Sequence, residues 1–232
     1  MSPKTAPEVQ ALFLRLNDAL PQTQCTRCGY PDCAAYAQAI AQGDAAINQC
    51  PPGGQAGVAR LAVITGQPEQ MLNPENGIER SRHVAIIDED WCIGCTLCIK
   101  ACPTDAIVGS NKRMHTVIEP WCTGCELCIP VCPVDCIALE NVTGANTGWS
   151  AWTPEQASMA LHRYEQHKVR TAREAKEHDA AQVTKAQDKL EHLEALTKVP
   201  DQPDAARAEL ARKRAVIEAL LAKAKAKARS VS

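Results

Sequence analysis

Twelve of the thirteen cysteines fall into three sets of four, and the spacing within each set is that of metal ligands. Two sets share one pattern, C-x2-C-x2-C-x3-C-P: Cys92, Cys95, Cys98 and Cys102, then Cys122, Cys125, Cys128 and Cys132. Three thiolates crowded into seven residues suit one face of a cubane [4Fe-4S] cluster, with one sulfur to each iron. Zinc prefers two well-separated pairs of ligands, so paired zinc ribbons are the weaker reading of this block. The remaining set, Cys25-x2-Cys28-x4-Cys33 followed after sixteen residues by Cys50-Pro51, fits either zinc or a [4Fe-4S] cluster on spacing alone. Cys136 is surplus: it stands where the first repeat has Ala106, and it reads as a small buried apolar residue.

The two C-P blocks belong to an internal repeat with a period of 30 residues. Trp91–Ile107 and Trp121–Ile137 are identical at eleven of 17 aligned positions, which predicts two half-units about a pseudo-two-fold axis. In two-cluster ferredoxins the fourth cysteine of each run ligates the other cluster. The expected sets are therefore Cys92, Cys95, Cys98 and Cys132 on one cluster, and Cys122, Cys125, Cys128 and Cys102 on the second. Gly94 and Gly124 allow tight turns, and Pro103 and Pro133 turn the chain away. Ile93, Ile99, Ile107, Ile129 and Ile137 are expected to form a dry shell. This block resembles bacterial-type 2[4Fe-4S] ferredoxins. Full ligation leaves no iron with an open position, so the chemistry is electron transfer. The C-x3-C-x2-C triplet of radical S-adenosylmethionine chemistry is absent.

Composition agrees. The 232 residues carry a formal net charge of −2, which does not suit a strongly basic nucleic-acid binder. No apolar run reaches the roughly 18 residues of a membrane span, and no signal-peptide pattern opens the sequence. A cytoplasmic protein is expected, or one lying peripherally at the inner face of the cell membrane. There thiols stay reduced, so the cysteines point to metal and not to disulfides.

The elements that must position these cysteines divide the sequence into a helical domain (1–65), a linker (66–82), a ferredoxin domain (83–140), a second linker (141–152) and a helical tail (153–232). The fold class is α+β. An amphipathic helix is predicted over Glu8–Leu20, from Val9, Leu12, Phe13, Leu16 and Leu20, with others over Cys33–Ala41 and Gly54–Ile64. Val84–Ile87 and Thr116–Ile118 read as short strands ahead of the cysteine blocks. The tail predicts a long helix from Thr153-Pro154 to about Lys198, a break at Val199–Pro203, and a second helix from about Asp204 carrying Leu210, Ile217, Leu220 and Leu221. The two helices would pair as an antiparallel hairpin. His162, His167, His178 and His192 read as solvated, and Trp149 and Trp152 as packing the start of the tail onto the ferredoxin domain.

The stretch Leu20-Pro-Gln-Thr-Gln-Cys25-x-x-Cys28-Gly-Tyr-Pro-x-Cys33, with Ala46-Ile-Asn-Gln-Cys50-Pro-Pro-Gly-Gly54, resembles the small iron–sulfur domain of the RnfB/RsxB family, the B-type component of the Rnf/Rsx electron-transport complex. In that family this domain precedes a two-cluster ferredoxin module, and Met114-His-Thr-Val-Ile118 is similar as well. The resemblance covers about residues 8–140. It implies that Cys25, Cys28, Cys33 and Cys50 hold a third [4Fe-4S] cluster, and that the protein carries single electrons in a membrane-associated chain. Thr26 and Arg27 stand where Gly-Gln is typical. Two departures are expected: no N-terminal membrane helix of the family's kind, and an added 80-residue helical tail.

Residues 1–152 carry net −6 and residues 153–232 net +4. Three oxidised clusters at about −2 each would make the head strongly acidic, so redox partners with basic docking surfaces are expected, with membrane-complex components among them and no nucleic acid. The basic end of the tail, Arg212-Lys213-Arg214 onward, reads as a solvated helix end, with self-pairing or membrane tethering as further roles. A redox-sensing regulator and an interaction scaffold are the competing functions.

Overall fold

The computed structural model describes residues 5–193 and 203–230. It divides into two compact units, Met1–His167 and Lys168–Ser232.

The first unit opens with α1 (Ala6–Asp18), α2 (Cys33–Gln42) and α3 (Gly54–Thr65). Thr5 and Glu8 cap α1 reciprocally, and Leu16 and Leu20 bring its apolar face against Tyr36, Ile40, Ile47, Val58 and Leu61. Asp32 caps α2 by accepting from Ala35 N at 2.6 Å, and Gly43 ends it with φ 88°, the left-handed conformation a glycine adopts without strain. Cys28 and Cys33 belong to this core.

The predicted linker 66–82 has only one 3-10 turn, Pro74–Asn76, yet it is strapped down. Glu79 accepts from Gln55 N at the start of α3 and from Thr147 Oγ1, each at 2.7 Å. An acid in that position satisfies an orphan amide and suits the helix dipole. Asn76 donates to Arg27 O at 3.0 Å.

The ferredoxin part has two small antiparallel sheets. β1 (His83–Ile87) pairs with β4 (Ile137–Asn141), and β2 (Ile107–Gly109) pairs with β3 (His115–Val117). A 30-residue shift carries β1 toward β3 and β2 toward β4, as the repeat predicts. Backbone conformation repeats too: Gly94 and Gly124 have φ 66° and 68°, Thr96 and Glu126 have φ 65° and 67°, and Asp105 and Asp135 both have φ 51°. A short helix, α4 (Leu97–Ala101), forms in the first half only. The second core gathers around the cysteines themselves, with Ala85, Ile87, Ala106, Ile107 and Ile137. A domain this small has little else to bury.

The long helix α5 (Pro154–Glu191) begins with a reciprocal cap: Gln156 N donates to Thr153 Oγ1 at 3.2 Å and Thr153 N to Gln156 Oε1 at 3.0 Å. Its first turns belong to the first unit. Trp149 and Trp152 seat the approach to α5 on two different parts of that unit. Trp149 lies under the Arg60 guanidinium at 3.9 Å and beside Gly57 of α3, whereas Trp152 lies under Arg82 at 5.1 Å on the ferredoxin side. The expectation that both pack on the ferredoxin domain is thus corrected for Trp149.

In the second unit, Val183, Ala186, Leu190 and Leu193 form the less exposed stripe of α5 and its end. The second tail helix, α6 (Pro203–Ser230), follows. Arg170–Glu174 at 2.9 Å and Arg214–Glu218 at 3.0 Å are i,i+4 pairs of the kind a solvated helix carries. The end of the first tail helix near Lys198, and the break at Val199 to Gln202, lie outside the described residues. No described helix is long and apolar enough to cross a membrane.

Candidate metal centres

Three cavities each gather four of the twelve cysteines. The first is lined by Cys25, Cys28, Cys33 and Cys50. The second is lined by Cys102, Cys122, Cys125 and Cys128, and the third by Cys92, Cys95, Cys98 and Cys132. The fourth cysteine of each repeat thus sits in the cavity of the other repeat. No three His, Cys, Asp or Glu side chains among the described residues converge as a single metal ion requires. A cubane takes its thiolates at separate corners.

Backbone donors aim at these sulfurs. Ala106 N lies 3.2 Å from Cys102 Sγ and Ala85 N 3.4 Å from Cys122 Sγ. Such donors favour a thiolate over a thiol. Burial acts the other way. It pushes Cys125 and Cys128 up to about 12, with neighbouring cysteines adding repulsion, and it raises Cys33 and Cys50 further. Thiolates at these positions are therefore unfavourable without positive charge among them. Iron would supply that charge, and four cysteines to a cavity is a donor set that fits a cluster. Cys132 is lowered: burial raises it, and backbone donors from Val134, Cys136 and Asp135, with the Cys136 side chain, outweigh that.

Each N-terminal ligand position is held from its surroundings. Gln24 Oε1 accepts from Cys33 N at 3.0 Å and Gln24 Nε2 donates to Gln22 Oε1 at 2.9 Å, while Gln22 Nε2 donates to Asn17 O at the end of α1. This buried Gln22–Gln24 relay positions the loop that carries Cys25, and sequence reasoning assigned it no role. The signal was three polar residues inserted between an apolar helix and a ligand cysteine. Tyr36 holds the other strand of the site: its hydroxyl donates to Ala46 O at 2.8 Å and accepts from Gln49 N at 3.0 Å, next to Cys50.

The first and second cavities are joined. Thr123 Oγ1 donates to Thr23 O at 3.0 Å across the boundary between the two cysteine-rich parts. Arg27 pairs with Glu126 at 2.7 Å, and Arg80 reaches the other oxygen of that carboxylate. Burial pushes the Glu126 carboxyl up, and the Arg80 and Arg27 guanidiniums more than offset this, leaving it below the usual range.

The opening turns of α5 fasten both parts. Arg163 donates to Thr104 O at 2.7 Å and Asp105 O at 3.1 Å, with its guanidinium 3.5 Å above the Trp121 ring. Tyr164 donates to Asp32 Oδ2 at 2.9 Å, and His167 Nδ1 lies 2.8 Å from Asp105 Oδ1. His167 is therefore not one of a row of solvated histidines. The expected dry shell is also incomplete: Ile107 and Ile137 are buried, Ile99 and Ile129 are half-buried, and Ile93 is 57% exposed. Cys136 is buried with its sulfur 3.5 Å from Cys132 Sγ, so it lines the third cavity in addition to packing. His115, buried in the same cavity, was not singled out from the sequence.

The family model described as a 4Fe-4S dicluster domain matches residues 85–139, and the one described as a putative Fe-S cluster matches residues 20–52. The B subunit of the ion-translocating oxidoreductase complex of Azoarcus sp. (strain BH72) is 58% identical over 111 residues, which is 48% of this chain and 61% of that relative. The protein of the same name from Thiobacillus denitrificans is 56% identical over 111 residues, 48% of this chain and 59% of the relative. That of Vibrio cholerae is 53% identical over 111 residues, 48% of this chain and 56% of the relative. The chain thus spans less than two thirds of the length of these relatives. No solved structure matches it significantly. Over the aligned stretch the chain is similar to the B subunits of ion-translocating oxidoreductase complexes.

Proposed function

We propose that this protein is an iron–sulfur electron-transfer subunit of an Rnf-type complex, carrying single electrons through three [4Fe-4S] clusters. Cys25, Cys28, Cys33 and Cys50 hold one cluster; Cys92, Cys95, Cys98 and Cys132 a second; Cys102, Cys122, Cys125 and Cys128 the third. The observation that carries this reading is the sorting of twelve cysteines into three cavities, four to each, with Cys102 and Cys132 exchanged between the repeats. A cluster bound there supplies one-electron chemistry. The protein's own residues fix the sulfurs, exclude water and aim N–H groups at the thiolates. The names of the relatives support membership in a multi-component, ion-translocating oxidoreductase complex, and peripheral placement at a membrane is part of the proposal. The acidic head would meet basic docking surfaces. Residues 1–65 and 83–140 act as the two cluster-bearing domains, and α5 and α6 pair as a hairpin that serves for assembly or tethering.

Iron and sulfide analysis of anaerobically purified protein, followed by a redox titration monitored by EPR, tests the reading. About twelve irons per chain and interacting reduced-cluster signals are expected. About eight irons would leave the ferredoxin part intact and remove the N-terminal cluster from the chain of carriers.

A further inference from the structure

Among the facing positions at which the two halves of the ferredoxin repeat differ, one pair lies against a sulfur. A 30-residue shift sets Ala85 against His115 and Leu139 against Gly109. Strand register makes these two facing pairs: Ala85 lies opposite Leu139, and His115 opposite Gly109. Each pair places one large side chain beside a small one. In the second cavity the large residue is an apolar leucine. In the third it is an imidazole.

His115 is 1% exposed, and its Nδ1 lies 3.3 Å from Cys98 Sγ. Gly109 leaves room for the ring: a Cβ there would meet His115 Cδ2 at 2.3 Å, and the glycine holds φ 152°. The second ring nitrogen, Nε2, is buried with no hydrogen-bond partner. Filling this space with an imidazole leaves that buried nitrogen unpaired, a cost a leucine would avoid. Packing alone does not account for the choice. The Nδ1–sulfur contact does: a Cys98 that ligates iron is a thiolate, which only accepts, so Nδ1 would carry the hydrogen.

We propose that His115 is a potential-setting residue: its Nδ1–H donates to the Cys98 thiolate and raises the reduction potential of the cluster held by Cys92, Cys95, Cys98 and Cys132. The proposal rests on the reading of those four cysteines as cluster ligands. Reduction adds one electron to the cluster from an external low-potential donor, which is oxidised by one electron. No bond is broken and the proton stays on Nδ1. The added electron density falls partly on sulfur, so the donated hydrogen bond is stronger in the reduced state, and that difference is the rise in potential. At the neighbouring cavity cations stand close instead: the Arg82 guanidinium donates to Cys122 O at 3.3 Å, and that of Arg163 to Thr104 O at 2.7 Å.

The test compares the full-length wild type with His115→Leu, which fills the space without a donor, and His115→Asn, whose amide N–H can take the place of Nδ1–H. Each protein is purified anaerobically, assayed for iron and sulfide, and titrated with dithionite under EPR. In His115→Leu one component is expected to fall in potential by about tenfold in its reduction equilibrium, about 59 mV for one electron, while the others stay. His115→Asn is expected to recover most of that loss. Full iron with every potential unmoved, or a component moving up in His115→Leu, overturns the proposal alone. Wild type lacking iron at these cysteines overturns the ligand reading and the proposal with it. Pulsed EPR on reduced wild type grown with 15N-histidine gives a readout that needs no variant. Coupling of an imidazole nitrogen to a cluster spin is expected, and its absence also overturns the proposal.

Discussion

At the scale of single residues, the exchange of Cys102 and Cys132 has a sharp consequence. Cys102→Ala is expected to cost the cluster of the other repeat, about four irons per chain, while the signals of the Cys92–Cys98 site persist. EPR and iron analysis distinguish this from the loss of the site in its own repeat. Cys136→Ala, by contrast, is expected to leave the iron content unchanged, because the four sulfurs of the third cavity remain. Thr26 tells a different story. It holds φ 61°, a left-handed conformation that a β-branched residue adopts at a cost and that suits the glycine expected there from the resemblance. Thr26→Gly is expected to stabilise the protein by about 1 kcal/mol, seen as a rise in Tm. The grouping of the twelve cavity-lining cysteines was legible from spacing, because short separations along the chain keep side chains close in space. His115 was not, because its approach to Cys98 depends on which strand residue faces Gly109, and only the repeat offset from Ala85 could have hinted at it.

Among the elements, the opening turns of α5 make contacts that its reading as a separate helical tail did not name. Its caps were legible in Thr153-Pro154, since local hydrogen bonds decide them. Its contacts were not, because the partners of Arg163 and Tyr164 lie 59 and 132 residues away. A chain ending at His167 is therefore expected to keep its clusters and melt like the full protein's first unit. One ending at Ser150 loses Arg163, Tyr164 and His167 together, and is expected to melt several degrees lower. Circular dichroism melts of the two truncations make the comparison. Strands β2 and β4 were missed for a simpler reason: three to five residues beside a ligand loop carry too little alternation to show a period.

On the scale of the whole first unit, Glu126 governs how the N-terminal part meets the ferredoxin part. Its carboxyl is held below the ordinary range, so the stabilisation is fully present above about pH 4.3 and is lost as pH falls through the lowered value. Glu126→Gln is expected to cost about 1 kcal/mol at pH 7, or about 2–4 °C in Tm. The gap should close as acidity increases below about pH 4. No sequence pattern marks this pairing, because Arg27 and Glu126 are brought together only by docking of two separately legible parts. The fastening by α5 also sets an order of events during synthesis. A ribosome makes the chain from its N-terminus, so every ligand cysteine up to Cys132 has been joined before Arg163, Tyr164 and His167 exist. While the nascent chain is still growing, the loop at Thr104 and Asp105 and the cap at Asp32 are without their clasp. The turn just ahead of Cys33 and the loop just after Cys102 are thus the last parts of their surroundings to be tied down.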